Sequence, residues 1–104
     1  MRRQLPRLGL AVVRGRSMLP TLRDGDRLVV RYGANPRIGQ VVVARFPGGV
    51  IVVKRVTLVD ADGFWVSRDN PDEGIDSWSV GAIARDDVLG VVLGRLWPRP
   101  ALKV

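Results

Sequence analysis

Short apolar runs rich in valine recur along the chain at a spacing of roughly ten residues, which is typical of an all-β domain. Gly, Pro, Asp and Asn bound the runs, as expected for strands that are separated by turns. No stretch has a convincing helical period, and the best helical candidate is a single turn after Ser17. The pattern predicts strands at residues 10–13, 27–32, 40–46, 50–59, 63–67 and 88–97.

Two of the turns predict hairpins. Pro47-Gly48-Gly49 separates the third and fourth runs, and the segment from Asp60 to Gly63 separates the fourth and fifth. The predicted fold is therefore all-β, a small barrel or sandwich with little helix, in one domain that covers residues 1–104. Residues 1–7 are expected to form a flexible N-terminus, and residues 98–104 a C-terminal tail.

The composition restricts the possible chemistry. The chain has 104 residues with no cysteine and no histidine, which excludes thiolate catalysis, the Ser-His-Asp triad and most zinc catalysis. No cofactor and no metal are expected. An enzyme without a cofactor would then need a carboxylate, a tyrosine or a lysine as its base.

The net charge of +7 comes from 15 arginines and two lysines, and it favours an acidic partner or simply a solvated surface. Trp65, Trp78 and Trp97 could stack on nucleic acid bases, but they do not alternate with basic residues along one strand, and no nucleic acid partner is expected. No apolar run approaches the roughly 20 residues of a membrane-spanning helix. We expect a cytoplasmic protein without a transmembrane segment, and peripheral contact with a membrane stays open.

Lys54 stands out because it interrupts a strand of valines. Side chains alternate between the two faces of a strand, so Lys54 shares a face with Val52 and Val56. Arginine provides almost all other positive charge in the chain, yet only lysine can lose its proton when it is desolvated. The alternative is a lysine whose stem packs on the sheet while its amine reaches water.

Ser17 occupies a tight corner between an apolar run and Met-Leu-Pro. It is either a turn serine that bonds its own backbone or a nucleophile. With Lys54 it could form a Ser-Lys dyad, in which the lysine takes the proton of the serine hydroxyl. The dyad would have to be assembled from separate strands.

The sequence resembles the type I signal peptidase-like proteases in three places. Gly15-Arg16-Ser17-Met18-Leu19-Pro20-Thr21-Leu22, followed by Gly25-Asp26, is similar to their nucleophile box. Val52-Val53-Lys54-Arg55-Val56 is similar to their lysine box, and Asp69-Asn70 with Asp76-Ser77 to their third box.

The resemblance implies a β-rich serine endopeptidase with a Ser17-Lys54 dyad. Within that family, the segment Asn70-Pro71-Asp72-Glu73-Gly74-Ile75-Asp76-Ser77 and the ending Arg95-Leu96-Trp97-Pro98 resemble the small branch that matures nickel-type superoxide dismutase. The implied partner is therefore a precursor protein, with that enzyme's precursor as first candidate. The alternatives are a self-cleaving domain of the LexA and phage-repressor type, or a signal peptidase-like protease that acts on exported precursors.

The resemblance also implies roles around the dyad. Gly15, Ser17 and Met18 would bind the substrate and the oxyanion, and the implied supporting residues are Pro20, Asp26, Arg55, Asp69, Asn70, Asp76 and Ser77. Arg55 is the expected ion-pair partner of Asp69. The third box departs from the family pattern at Arg68, Gly74 and Trp78. Where this chain has Gly74, the family pattern has a serine whose hydroxyl is a partner of the lysine amine. Either Ser77 or Ser79 supplies a hydroxyl in its place, or activity is reduced.

Overall fold

A computed structural model describes residues 7–73, 75 and 77–104, apart from the side chain of Ser77. It contains six strands, which are β1 (Arg7–Val12), β2 (Arg27–Tyr32), β3 (Val41–Arg45), β4 (Ile51–Asp60), β5 (Gly63–Ser67) and β6 (Val88–Trp97). One short helix, α1 (Ser77–Val80), and two 3₁₀ turns, Pro47–Gly49 and Arg85–Asp87, complete the described elements. The all-β prediction is confirmed.

The strands form one antiparallel sheet in the order β1-β2-β6-β3-β4-β5. Both predicted hairpins are present, since β3 pairs with β4 across Pro47–Gly49 and β4 pairs with β5 across Ala61 and Asp62. β6 lies between β2 and β3, so the last strand of the chain joins the β1-β2 pair to the hairpins.

The sheet has a hydrophobic core on each face. On β3, Val42 and Ala44 belong to one core, with Val56, Phe64 and Val66. Val41 and Val43 point to the opposite face and join a second core that contains Met18, Leu22, Leu28 and Val30. β3 is therefore buried on both sides, which explains why its sequence is a continuous apolar run rather than an alternating one.

The structure adds three details to the sequence-based expectation. β1 begins at Arg7, earlier than residue 10, because it pairs with β2 from Arg7 opposite Tyr32. The four-residue helix lies at Ser77–Val80, while the predicted single helical turn after Ser17 is present as hydrogen-bonded turns, with a helix-type bond from the Leu22 N–H to the Met18 carbonyl at 2.9 Å. The C-terminal tail is held in place, since Ala101 and Arg95 exchange two backbone hydrogen bonds of 2.9 Å.

Within the described part of the chain, no helix has both the length and the apolar character needed to cross a membrane.

Gly63 provides a test of this packing. Its φ is +129°, and a Cβ built there would lie 2.3 Å from the backbone oxygen of Ile83, which pairs with Phe64. Gly63→Ala should lower the free energy of unfolding by about 2–4 kcal/mol, since backbone strain adds to steric overlap. Urea unfolding would measure this loss.

Gly33→Ala is the matched control, because Gly33 also has a positive φ (+74°) but no atom lies within 4 Å of the added Cβ. An equal loss in the two variants would show that the contact with Ile83 contributes nothing.

Candidate active site

Ser17 lies in the long connection between β1 and β2, and hydrogen bonds hold the two ends of that connection together. The Val13 N–H donates to the Asp26 carbonyl (2.9 Å), and the Gly25 N–H donates to the Val13 carbonyl (2.8 Å). Inside the connection, the Asp24 carboxylate accepts the Gly15 N–H at 2.7 Å. Gly15 has a φ of +80°, which only glycine adopts readily and which turns the chain just before the serine.

The serine turn is also anchored to the core beneath the sheet. Met18 and Leu22 are fully buried, and the Leu22 N–H donates to the Met18 carbonyl at 2.9 Å. The buried Asp26 carboxylate accepts the Arg23 N–H (2.9 Å) and lies 3.6 Å from the Arg95 guanidinium. Pro20 is exposed on the same turn. Ser17 itself is half-buried, so a reactant can reach it.

Lys54 lies near the middle of β4, directly opposite Val42 on β3. It is only 4% exposed, although lysine is almost never fully buried in proteins unless it has a partner. The side chains of Val42 and Val56 place this position on the face of the first core. The structure therefore does not support the alternative in which the stem of Lys54 packs on the sheet while its amine reaches water.

The structure brings Ser17 and Lys54 to one cleft, although 36 residues separate them in the sequence. The larger lobe of the cleft, about 570 Å³, lies between residues 10–14 and residues 50–54. The smaller lobe, about 370 Å³, extends towards Phe46, Ile75 and Val80. Ser17 and Lys54 line both lobes, so they occupy the junction between the two.

Asp69 links the serine turn to the lysine strand. Its carboxylate accepts two hydrogen bonds from Arg55, from Nε at 2.9 Å and from Nη2 at 2.8 Å, and one from the Thr21 hydroxyl at 2.6 Å. Arg55 is the residue after the candidate base, and Thr21 follows the candidate nucleophile by four positions. The bidentate geometry makes this one of the stronger ion pairs that a half-buried site can hold.

These contacts change the pKa of both partners. Burial alone would raise the pKa of Asp69, but the hydrogen bonds from Arg55 and Thr21 and the charge of Arg55 outweigh it, so the pKa lies below its ordinary value. The hydrogen bond to Asp69 raises the pKa of Arg55, against a smaller opposing effect of burial. The pair is therefore ionised throughout the neutral range.

Asn70 supports the same turn through backbone contacts. Its N–H donates to the Ser17 carbonyl at 2.8 Å, and its side-chain amide donates to the Arg16 carbonyl at 2.9 Å. Its own side-chain oxygen accepts the Asp72 N–H at 3.0 Å, which orients the amide. Asp69 and Asn70 together therefore hold the serine turn on both sides of Ser17.

Two of the predicted supporting residues, Asp76 and Ser77, fall wholly or partly outside the described structure. Asp76 lies outside the described residues, as does Gly74. Ser77 begins α1, but its side chain also lies outside the description.

Thr21 and Asp24 take part in these contacts, although the sequence alone did not mark them as site residues. Thr21 stands inside the motif that marked the serine, so its position could have suggested the contact with Asp69. Asp24 had no such signal, because its bond to the Gly15 N–H depends on the path of the whole connection.

The Asp69 contacts predict a defined pH dependence of stability. Asp69→Asn should lower the free energy of unfolding at neutral pH by about 1–3 kcal/mol, the usual value of hydrogen bonds to a charged group. Because the pKa of Asp69 is lowered in the folded protein, its contribution exists above the unfolded-state pKa of about 3.9 and disappears as the pH falls through the folded-state value.

Urea unfolding of wild type and Asp69→Asn from about pH 7 to about pH 3 tests this sign. The difference between the two proteins should shrink as the pH falls below about 4. Asp72→Asn, at an exposed position of the same loop, is the matched control. A difference that stays constant with pH would contradict the charged contact.

Comparison with known proteins identifies the family of the chain. No curated protein matches the sequence. A model of the Peptidase S24-like family matches residues 3–93, which include the serine turn, the lysine strand and the Asp69 loop. Since this match covers most of the chain, the protein belongs to the Peptidase S24-like family, within the LexA-like superfamily of serine peptidases.

Proposed function

We propose that the protein is a serine endopeptidase in which Ser17 is the nucleophile and Lys54 the general base. One observation carries the proposal, namely that a half-buried turn serine and a buried lysine line both lobes of the same cleft. Membership of a serine peptidase family supports it, and the chain has no histidine that could act as the base.

The reaction would follow the usual two steps of acyl transfer. The neutral amine of Lys54 takes the hydroxyl proton as Ser17 Oγ attacks the carbonyl carbon of the peptide bond. The tetrahedral intermediate then collapses, and the proton passes from Lys54 to the leaving amine. Water, deprotonated by Lys54, hydrolyses the resulting ester, and the proton returns to Ser17.

The developing oxyanion needs a fixed hydrogen-bond donor. The Ser17 N–H belongs to the turn that presents Oγ and is the donor we assign to it. The Gly15 N–H is already bonded to Asp24, so Gly15 would shape the turn and allow the substrate to approach without acting as a donor. Met18 lines the larger lobe but is fully buried in the second core, so its main contribution is to anchor the turn.

The substrate would bind as an extended peptide. In the described residues β1 pairs only with β2, which leaves its outer edge towards the cleft. Across the cleft, β5 pairs with β4 only from Arg55 onwards, so residues 51–54 also have an unpaired edge. A strand inserted between these edges could form backbone hydrogen bonds on both sides while alternate side chains enter the cleft.

The physiological reaction would be removal of an N-terminal extension from a precursor protein. The similarity of residues 70–77 and 95–98 to the nickel superoxide dismutase maturation proteases makes that enzyme's precursor the first substrate to test. The LexA-like alternative is cleavage of the protein's own chain, which predicts a shortened product without any added substrate.

Exchange of either dyad residue should abolish cleavage. Ser17→Ala, Lys54→Met and Lys54→Arg should each reduce kcat/KM by at least about 10³-fold, because methionine has no base and arginine keeps its proton. The measurement is the cleavage rate of a peptide library, with circular dichroism to verify the fold.

Ser67→Ala and Lys103→Ala are the matched controls, since they remove a serine and the other lysine away from the cleft. Near wild-type activity of Ser17→Ala would refute the dyad.

The precursor assay separates the two possible substrates. Incubation of the protein with a nickel superoxide dismutase precursor should give one shortened product whose new N-terminus is identified by mass spectrometry. Cleavage of the library but not of the precursor would contradict the assignment of the substrate and leave the dyad intact. A shortened form of the protein itself, absent in Ser17→Ala, would instead favour self-cleavage.

A further inference from the structure

The adjacent strands β1 and β2 leave an exposed apolar surface on the side of the sheet away from the second core. On β1, Leu8, Leu10 and Val12 project from one face, and Leu8 and Leu10 are 56% and 60% exposed. Their directly paired residues on β2 are Arg31, Val29 and Arg27, so these six side chains share that face. Solvent-exposed leucines in consecutive alternate positions are uncommon on a strand without a partner.

β6 and the tail extend this surface. Trp97 pairs with Arg27, is 53% exposed and lies with its ring 4.9 Å from the Arg27 guanidinium. Next to it, Val29, Leu93, Leu96 and Leu102 line an apolar hollow of about 400 Å³. We call the surface formed by Leu8, Leu10, Val12, Val29, Leu93, Leu96, Trp97 and Leu102, with Arg27 and Arg31, the outer face.

All charged side chains of this region are positive. The segments that build it, residues 7–12, 27–32 and 88–104, contain six basic residues, which are Arg7, Arg27, Arg31, Arg95, Arg99 and Lys103. The same segments contain no aspartate and no glutamate. Arg27 and Arg31 lie between the exposed leucines of β1 and the exposed residues of β6, so apolar and cationic groups alternate across the outer face.

We propose that the outer face binds the surface of an anionic lipid bilayer. Leucine and valine side chains would enter the region just below the headgroups, and Trp97 would lie at the headgroup level that tryptophan prefers. Arg27 and Arg31 would contact lipid phosphates, and each basic residue near an anionic surface contributes about 1 kcal/mol. This binding does not require Ser17 or Lys54, although Leu10 and Val12 belong both to the outer face and to the cleft.

Charge complementarity argues against the other occupants. A second copy bound through the same face would bring Arg27 and Arg31 of one chain towards those of its partner, with no carboxylate on the face to compensate them. Nucleic acid would satisfy the arginines but would leave the leucines of β1 without an apolar partner. An anionic bilayer satisfies both groups at once.

Cosedimentation with vesicles tests the proposal. Wild type should bind vesicles of phosphatidylcholine and phosphatidylglycerol in equal parts, bind vesicles of phosphatidylcholine alone much more weakly, and dissociate as salt is added. Arg27→Gln with Arg31→Gln should reduce the partition coefficient by about 30-fold. Leu96→Ser with Trp97→Ser should reduce it by about 10-fold or more. Leu10 and Val12 are left intact, because they also line the cleft.

The matched control substitutions lie outside the outer face, at the end of β3, in the 3₁₀ turn before β6 and in β4. Arg45→Gln with Arg85→Gln removes two exposed arginines, and Leu58→Ser with Val59→Ser removes two exposed apolar residues of β4. Both control proteins should bind the vesicles like wild type. Thermal unfolding verifies that each variant is folded, and the arginine exchanges, which leave every apolar residue of the outer face in place, keep the test valid if the Trp97 variant does not fold.

A second measurement locates the contact. In a protein with Trp65→Phe and Trp78→Phe, only Trp97 remains, and its fluorescence should be quenched by bromine-labelled lipids in the anionic vesicles. Absence of vesicle binding, or binding that the outer-face variants leave unchanged, would overturn the proposal. So would a dimer in analytical ultracentrifugation that the Leu96 and Trp97 exchange disrupts, or tighter binding to a single-stranded oligonucleotide that the arginine exchange abolishes.

Discussion

The Asp69 carboxylate holds together the two parts of the candidate active site. The serine turn follows β1 and the candidate base lies on β4, at distant places in the sheet order, so the strand ladders alone do not fix one relative to the other. Asp69 bonds to Thr21 on the turn and to Arg55 beside the lysine, and Asn70 bonds to the carbonyls of Arg16 and Ser17. A dyad needs its two reacting atoms at hydrogen-bond distance, so this bridge determines whether the proposed chemistry is available.

The burial of Lys54 follows from the position of its strand beside β3. β3 is buried on both faces, and its pairing with β4 puts Lys54 opposite Val42 within the first core. The cleft reaches this position from the side of Ser17, so a buried amine and a half-exposed hydroxyl line the same space. Arginine could not replace the lysine as a base, because its guanidinium stays protonated.

The two ends of the sheet differ in how they are covered. At the β5 edge, Phe64 pairs with Ile83, and Trp78 of α1 lies with its ring 5.2 Å from that of Trp65. At the β1 edge, the described chain leaves leucines and arginines exposed beside the cleft. The open edge needed by an extended substrate and the surface proposed to bind lipid therefore lie at the same end of the sheet.

The sequence by itself determined the all-β class, the strand positions within a few residues and both hairpins, because valine runs and turn residues are local signals. It also marked Ser17 and Lys54 as candidates, since a serine in a tight turn and a lone lysine among valines are local signals too. The strand order, with β6 between β2 and β3, was decided by tertiary structure, since two-sided burial of β3 depends on which strands neighbour it. The same holds for the contacts of Asp69 with Thr21 and of Asp24 with Gly15, which depend on how connections pack in space. The contact between Arg55 and Asp69 was anticipated through resemblance to a family, whereas its bidentate geometry and the resulting pKa shifts come from the folded arrangement alone.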